Sequence, residues 1–226
     1  MRRKVIFEDL GRIRYKEAWD YQEKLFESVI REKRDKQEEK KQYLLFCEHE
    51  HVYTIGKSGN RQNLLIAGSV CERKHIDLHE IDRGGDITYH GPGQLVVYPI
   101  IDLEAFQIGI KKYISLLEDV VIATLREYGI EGEKEEKAMG VWIDSTHPSK
   151  ARKICAIGVR ASRFVTMHGL ALNVNSDLSY FNYINPCGFT DRGVTSIDKE
   201  LGREVAFPEV SIKMKQHFQH VFGMVY

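Results

Sequence analysis

The chain has 226 residues, 42% of them apolar, enough to bury a full core, and its length fits one sizeable domain over residues 1–226 better than two. Its 33 basic and 33 acidic side chains cancel, so no electrostatic footprint for nucleic acid or an anionic membrane is expected. The opening MRRKVIFEDLGRIRY meets Glu8 and Asp9 before any apolar run suited to a signal peptide, and no stretch approaches the roughly 18 apolar residues of a membrane span. Cys47, Cys71, Cys155 and Cys187 lie far apart, which predicts reduced thiols and a cytoplasmic protein rather than a disulfide frame.

In chain order, Tyr15, Ala18, Trp19, Leu25, Phe26, Val29 and Ile30 recur at helical spacing and predict an amphipathic helix over 15–30. Ten of the eleven residues from Arg31 to Lys41 are charged, and that run reads as a solvated helix end and loop. Short β-branched and aromatic runs predict strands over 43–47 and 52–55, alternation predicts one over 76–81, and a continuous apolar run predicts a buried one over 94–101. A helix fits 110–128 and stops at Gly129. Strands follow over 140–143, 153–159 and 164–174, the first two separated by the polar loop DSTHPSKAR. Pro208 then opens a last helix with Val210, Met214, Phe218 and Val221 on one face. Strands grouped between three separated helices, without βαβ alternation, predict an α+β layered domain rather than a doubly wound sheet.

Four segments could carry chemistry. The densest is Arg83-Gly84-Gly85-Asp86-Ile87-Thr88-Tyr89-His90-Gly91-Pro92-Gly93-Gln94, whose four glycines let a ligand approach main-chain amides closely, while Arg83, Tyr89 and His90 could line a pocket beside buried strands. A second, from Lys153 to Arg160, contains Cys155, Ala156, Ile157 and Gly158. Its Lys153 opens an otherwise apolar run, either as a snorkelling strand-edge lysine or as a perturbed cation. The third contains His168, Gly169, Leu170 and Ala171, and a histidine between apolar residues is commonly a hydrogen-bonded core residue. In the fourth, Asn185-Pro186-Cys187-Gly188-Phe189, a tight turn exposes the thiol, which becomes a nucleophile if a cation lowers its pKa. Cys47, His49 and His51, or Cys71, His75 and His79, could each offer three metal ligands, yet neither set matches a familiar zinc spacing, and no metal is expected.

Taken together, RGGDITYHGPGQLVVYPI, KICAIGVR, MHGLALNVN and INPCGF, in that order and at these distances, closely resemble the octanoyl-ACP:protein N-octanoyltransferases, also called lipoyl(octanoyl) transferases or the lipoate-protein ligase B family. The likeness runs from about Glu48, through HVYTIG and the Asn63-Leu64-Leu65 turn, to GVTSI near Ile197. The resemblance implies a biotin/lipoate ligase-like mixed sheet flanked by helices, with neither ATP nor metal required. It implies transfer of an octanoyl group from octanoyl-acyl carrier protein to a lysine of lipoyl domains, in the E2 subunits of 2-oxoacid dehydrogenases and in the glycine-cleavage H protein. Carried onto this sequence, it makes Cys187 the acylated nucleophile and Lys153 its activating partner. It also makes Arg83 through His90, Ala156 to Gly158 and Gly169 to Ala171 the acyl pocket. Apart from the resemblance, His90 and His168 could help orient substrate. Asp86 falls where the family pattern varies, and the charged run from Arg31 to Lys41 is longer than typical. The competing expectations are an ATP-dependent ligase on the related fold, which needs no cysteine, and a catalytically silent acyl-binding module.

Overall fold

Two-residue alternation along the central strands decides which side chains meet which layer in the computed structural model, which describes residues 3–37, 40–136, 138–147, 149–185 and 192–226. The elements in chain order are β1 (Arg3–Lys4), β2 (Ile6–Ile13), α1 (Tyr15–Arg34), β3 (Tyr43–His49), β4 (Val52–Ile55), α2 (Gly68–Arg73), β5 (Asp77–Glu80) and β6 (Ile87–His90). They continue with β7 (Gln94–Ile100), α3 (Ile110–Arg126), β8 (Glu133–Lys134), β9 (Val141–Ile143), β10 (Arg152–Ser162) and β11 (Val165–Asn173). The last are β12 (Gly193–Val194), α4 (Ile197–Leu201), α5 (Phe207–Phe222) and β13 (Met224–Val225).

Among the described residues, eight strands build the main sheet in the order β2-β3-β7-β11-β10-β9-β8, with β12 beside β10, while β5-β4-β6 form a separate sheet of three. β2 runs parallel to β3 and β4 to β5, whereas β3, β7, β11 and β10 pair antiparallel in succession, so both sheets are mixed. This is the α+β arrangement expected from the strand grouping. Leu44, Phe46, Leu95, Val97, Leu170 and Leu172 pack on α3 and α5. Leu45, Cys47, Val96, Tyr98 and Ala171 face the opposite way, onto the layer that holds α1.

Helix α1 buries Tyr15, Ala18, Gln22, Leu25, Phe26 and Val29, and it continues into the charged run as far as Arg34, where Arg31, Lys33 and Arg34 complement the negative end of the helix dipole. Helix α3 ends before Gly129, whose φ of 72° is a conformation that suits glycine. Pro208 lies in the first turn of α5, where its missing N–H leaves no bond unmade; Val210, Met214 and Phe218 are buried as expected, and Val221 is half-buried at the core edge. No helix among the described residues is long and apolar enough to cross a membrane.

Candidate active site

Between the α1 face of the main sheet and the small sheet lies a cavity of about 420 Å³. Its floor follows from residue size and register: Ala156 pairs with Ala171 and Gly158 with Gly169 on adjacent strands, so four minimal side chains leave a bare patch of sheet. Arg83 and Gly84 cross this floor at one end, where Gly84 N–H donates to Val159 O at 2.9 Å. A Cβ on Gly158 would stand 2.9 Å from Gly84 O and 3.0 Å from Arg83 Cδ, so the crossing requires glycine beneath it. Arg83 is held in turn by donation from Nη2 to Thr54 O (2.7 Å) and Thr54 Oγ1 (3.0 Å).

Arg83, Gly85, Asp86, Ile87, Thr88 and His90 line the cavity. Gly84 and Tyr89 do not border it: Gly84 is turned to Val159, and Tyr89 is engaged elsewhere, where its hydroxyl hydrogen-bonds His51 Nδ1 at 2.7 Å and its ring stacks on Tyr180. Asp86 organises its loop by accepting from Ile87 N (2.7 Å), Asn60 N (3.2 Å) and Asn63 Nδ2 (2.6 Å).

His168 also lines the cavity, with a left-handed φ of 59° and 2% exposure. Burial lowers its pKa, and the ionised Asp82 carboxylate can only accept, so Nε2–H donates to Asp82 Oδ1 at 3.0 Å. Arg160 pairs with the same carboxylate at 2.5 Å. His90 is likewise neutral, its pKa pushed down by burial to about 3, and Nδ1–H donates to Gln94 Oε1 at 2.7 Å. Gln94 Nε2 donates to Asn173 Oδ1 (2.8 Å) and Asn173 Nδ2 to Thr195 O (2.9 Å), a polar chain running toward β12.

At the end opposite Arg83, half-buried Lys153 enters the cavity from β10. A bulge in the β9–β10 pairing lies between Lys153 and Cys155, and such an irregularity re-aims a side chain. The Lys153 ammonium sits 4.7 Å from the centre of the Trp142 ring, its register partner on β9. Gly140, at φ 124°, has room for no side chain: a Cβ would lie 2.4 Å from Cys155 O and 3.5 Å from the Lys153 methylenes. Cys155 itself is fully buried, and burial pushes its thiol pKa up.

Cys187 lies outside the described residues, but both flanks of its segment reach this region. On one side Ile184 bridges to Leu64 and Asn185 N–H donates to Asn63 O at 2.8 Å. On the other, Arg192, Gly193 and Val194 line the cavity, and β12 registers Val194 against Lys153.

The structure therefore brings Lys153, Arg83, His90, His168 and the small residues of β10 and β11 around one space. Sequence reasoning missed Tyr15, Val96, Tyr98, Trp142 and Arg192 as lining residues. Alternation along β7 put Gln94, Val96 and Tyr98 on one face and could have found two of them, whereas nothing local marked Trp142. Of the histidines considered as metal ligands, two are engaged elsewhere: His49 Nδ1–H donates to Ile13 O (2.9 Å) and its Nε2 accepts from Tyr98 OH (2.7 Å), while His51 Nδ1 hydrogen-bonds the Tyr89 hydroxyl (2.7 Å).

A family model described as the lipoyl protein ligase A/B catalytic domain matches residues 14–219. The chain is 52% identical over 228 residues to an octanoyltransferase of Flavobacterium johnsoniae, covering 98% of both chains. It is 51% identical over 217 residues to an octanoyltransferase of Porphyromonas gingivalis, of which it spans 44%. Among solved structures, lipoate-protein ligase A bound with ATP superposes with a TM-score of 0.69 at 16% identity, covering 100% of this chain and 87% of that one, a likeness of fold.

Proposed function

Since this chain belongs to the octanoyltransferases of the lipoyl protein ligase A/B catalytic family, we propose that it carries the octanoyl group as a thioester on Cys187, between octanoyl-acyl carrier protein and a lysine of a lipoyl domain. The acceptors would include the lipoyl domains of 2-oxoacid dehydrogenase E2 subunits and the glycine-cleavage H protein, in the cytoplasm. What supports this reading is Lys153, a cation on a central strand that enters an otherwise largely apolar slot, next to the residues that follow the Cys187 segment.

Lys153 as ammonium would hold Cys187 as thiolate. The thiolate attacks the donor thioester carbonyl; the carrier thiolate leaves and takes the proton of Lys153. The acceptor amine then attacks the acyl-cysteine and gives its proton to the neutral Lys153, and the Cys187 thiolate departs, which restores the ion pair. Each step exchanges one activated acyl bond for another or for an amide, so ATP and metal have no role in it. About six methylenes laid on the small-residue floor, at roughly 0.8 kcal/mol each, contribute about 5 kcal/mol of binding.

Mixing the protein with octanoyl-acyl carrier protein should add about 126 Da as a hydroxylamine-labile thioester, as covalent catalysis requires. Cys187→Ala should abolish the adduct, and a lipoyl domain should then be acylated without ATP or magnesium. Acylation only from free octanoate plus ATP would make the protein a ligase, and an adduct that survives in Cys187→Ala would move the nucleophile.

A further inference from the structure

Two cations meet one aromatic ring at the Lys153 end of the slot. The Lys153 ammonium lies 4.7 Å from the centre of the Trp142 ring and the Arg192 guanidinium 5.2 Å from it. Trp142 is 2% exposed, and its Nε1–H donates to Ala138 O at 2.8 Å, so burial and this bond orient the ring. Gly140 leaves the Lys153 stem room beside that ring. The negative π face of the ring attracts each of these cations where water is scarce.

We propose that Trp142 is a positioning residue: its ring holds the Lys153 ammonium in place and in its charged form, and tethers Arg192 at the edge of the Cys187 segment. This rests on the assignment of Lys153 as the activating cation. Arg192 also approaches Glu135 at 3.9 Å, so the guanidinium is steered by the ring and a carboxylate together. Among the described residues, the titratable groups near Lys153 include Cys155 beside it on β10, Glu118 from α3, which accepts from Gly140 N–H, and Glu136 on the cavity wall. None of these is altered by a change confined to the electrons of the Trp142 ring.

That change can be made without reshaping the core. The chain has two tryptophans, so a Trp19→Phe background leaves Trp142 as the sole site for biosynthetic incorporation of mono-, di- and tetrafluorotryptophan. The readout is the pH midpoint of Cys187 alkylation by iodoacetamide, located by peptide mass spectrometry, with the unfluorinated Trp19→Phe protein as reference. Each fluorine weakens the π face, so the midpoint should climb in steps by about 0.5 to 1 pH unit in total, at constant melting temperature. Trp142→Phe, which keeps a weaker face, should fall within the series. A midpoint that stays flat across the series, while Lys153→Met raises it, overturns the role of Trp142. A midpoint unmoved in Lys153→Met overturns the dyad itself, a separate outcome.

Discussion

At the scale of single residues, the slot is defined more by what is missing than by what is present. Ala156→Val would place two methyl groups over the floor that Ala156 and Ala171 leave bare. If the acyl chain lies there, space for about two methylenes is lost, near 1.6 kcal/mol or a factor of about fifteen. The ratio of kcat/KM for hexanoyl over octanoyl donors should rise by about that factor, and an unchanged ratio would place the chain elsewhere. Lys153→Met should slow alkylation of Cys187 at pH 7, because an ammonium at the slot end favours thiolate over thiol. Much of the slot was legible in the residues: the glycines and an out-of-place lysine are locally conspicuous. Trp142 was not, because an aromatic in a short apolar strand looks like any core residue until the opposite strand is known.

At the scale of elements, helix ends separate backbone from packing. Gly129 has φ 72° and open space where a Cβ would go, so Gly129→Ala should destabilise by about 1 kcal/mol through backbone strain alone. Gly68, the first residue of α2, also faces open space but carries no such φ, so Gly68→Ala should be neutral or stabilising by about 0.5 kcal/mol. Urea unfolding should show a lowered midpoint for Gly129→Ala and an unchanged or raised one for Gly68→Ala. Strongly periodic elements such as α1, α3 and α5 were readable to within a few residues. β2 was not foreseen, because an edge strand with mainly exposed or half-buried residues lacks a clean alternation, and β6 was hidden within the Gly-rich stretch.

At the scale of the whole molecule, burial of His49 and His90 links folding to pH. Their pKa values are pushed down by burial to about 4 and about 3, from the ordinary histidine value of 6.5. Between those limits the unfolded chain takes up protons that the folded chain refuses, so this stability is complete above pH 6.5 and lost as pH falls, at roughly 1.4 kcal/mol per unit of depression for each ring. The urea midpoint should drop steadily from pH 7 to 5, and His49→Gln should make the slope shallower; a flat profile would mean that the rings charge in place. The mixed pairing of both sheets was legible only through the family resemblance, since periodicity tells strand from helix but says nothing of strand direction.

One strand, β10, carries both Lys153 and Gly158, and the two stand five residues apart, about 17 Å of extended backbone. A caliper whose jaws are cut from a single bar does not drift with load. Helices can shift and partners can dock without changing the gauge, because a hydrogen-bonded strand hardly stretches. If the acyl chain lies along this slot, a longer one would have to lift the Arg83–Gly84 crossing and break the Gly84 N–Val159 O bond. Variants selected for longer substrates should therefore accumulate changes in that crossing rather than at the Lys153 end.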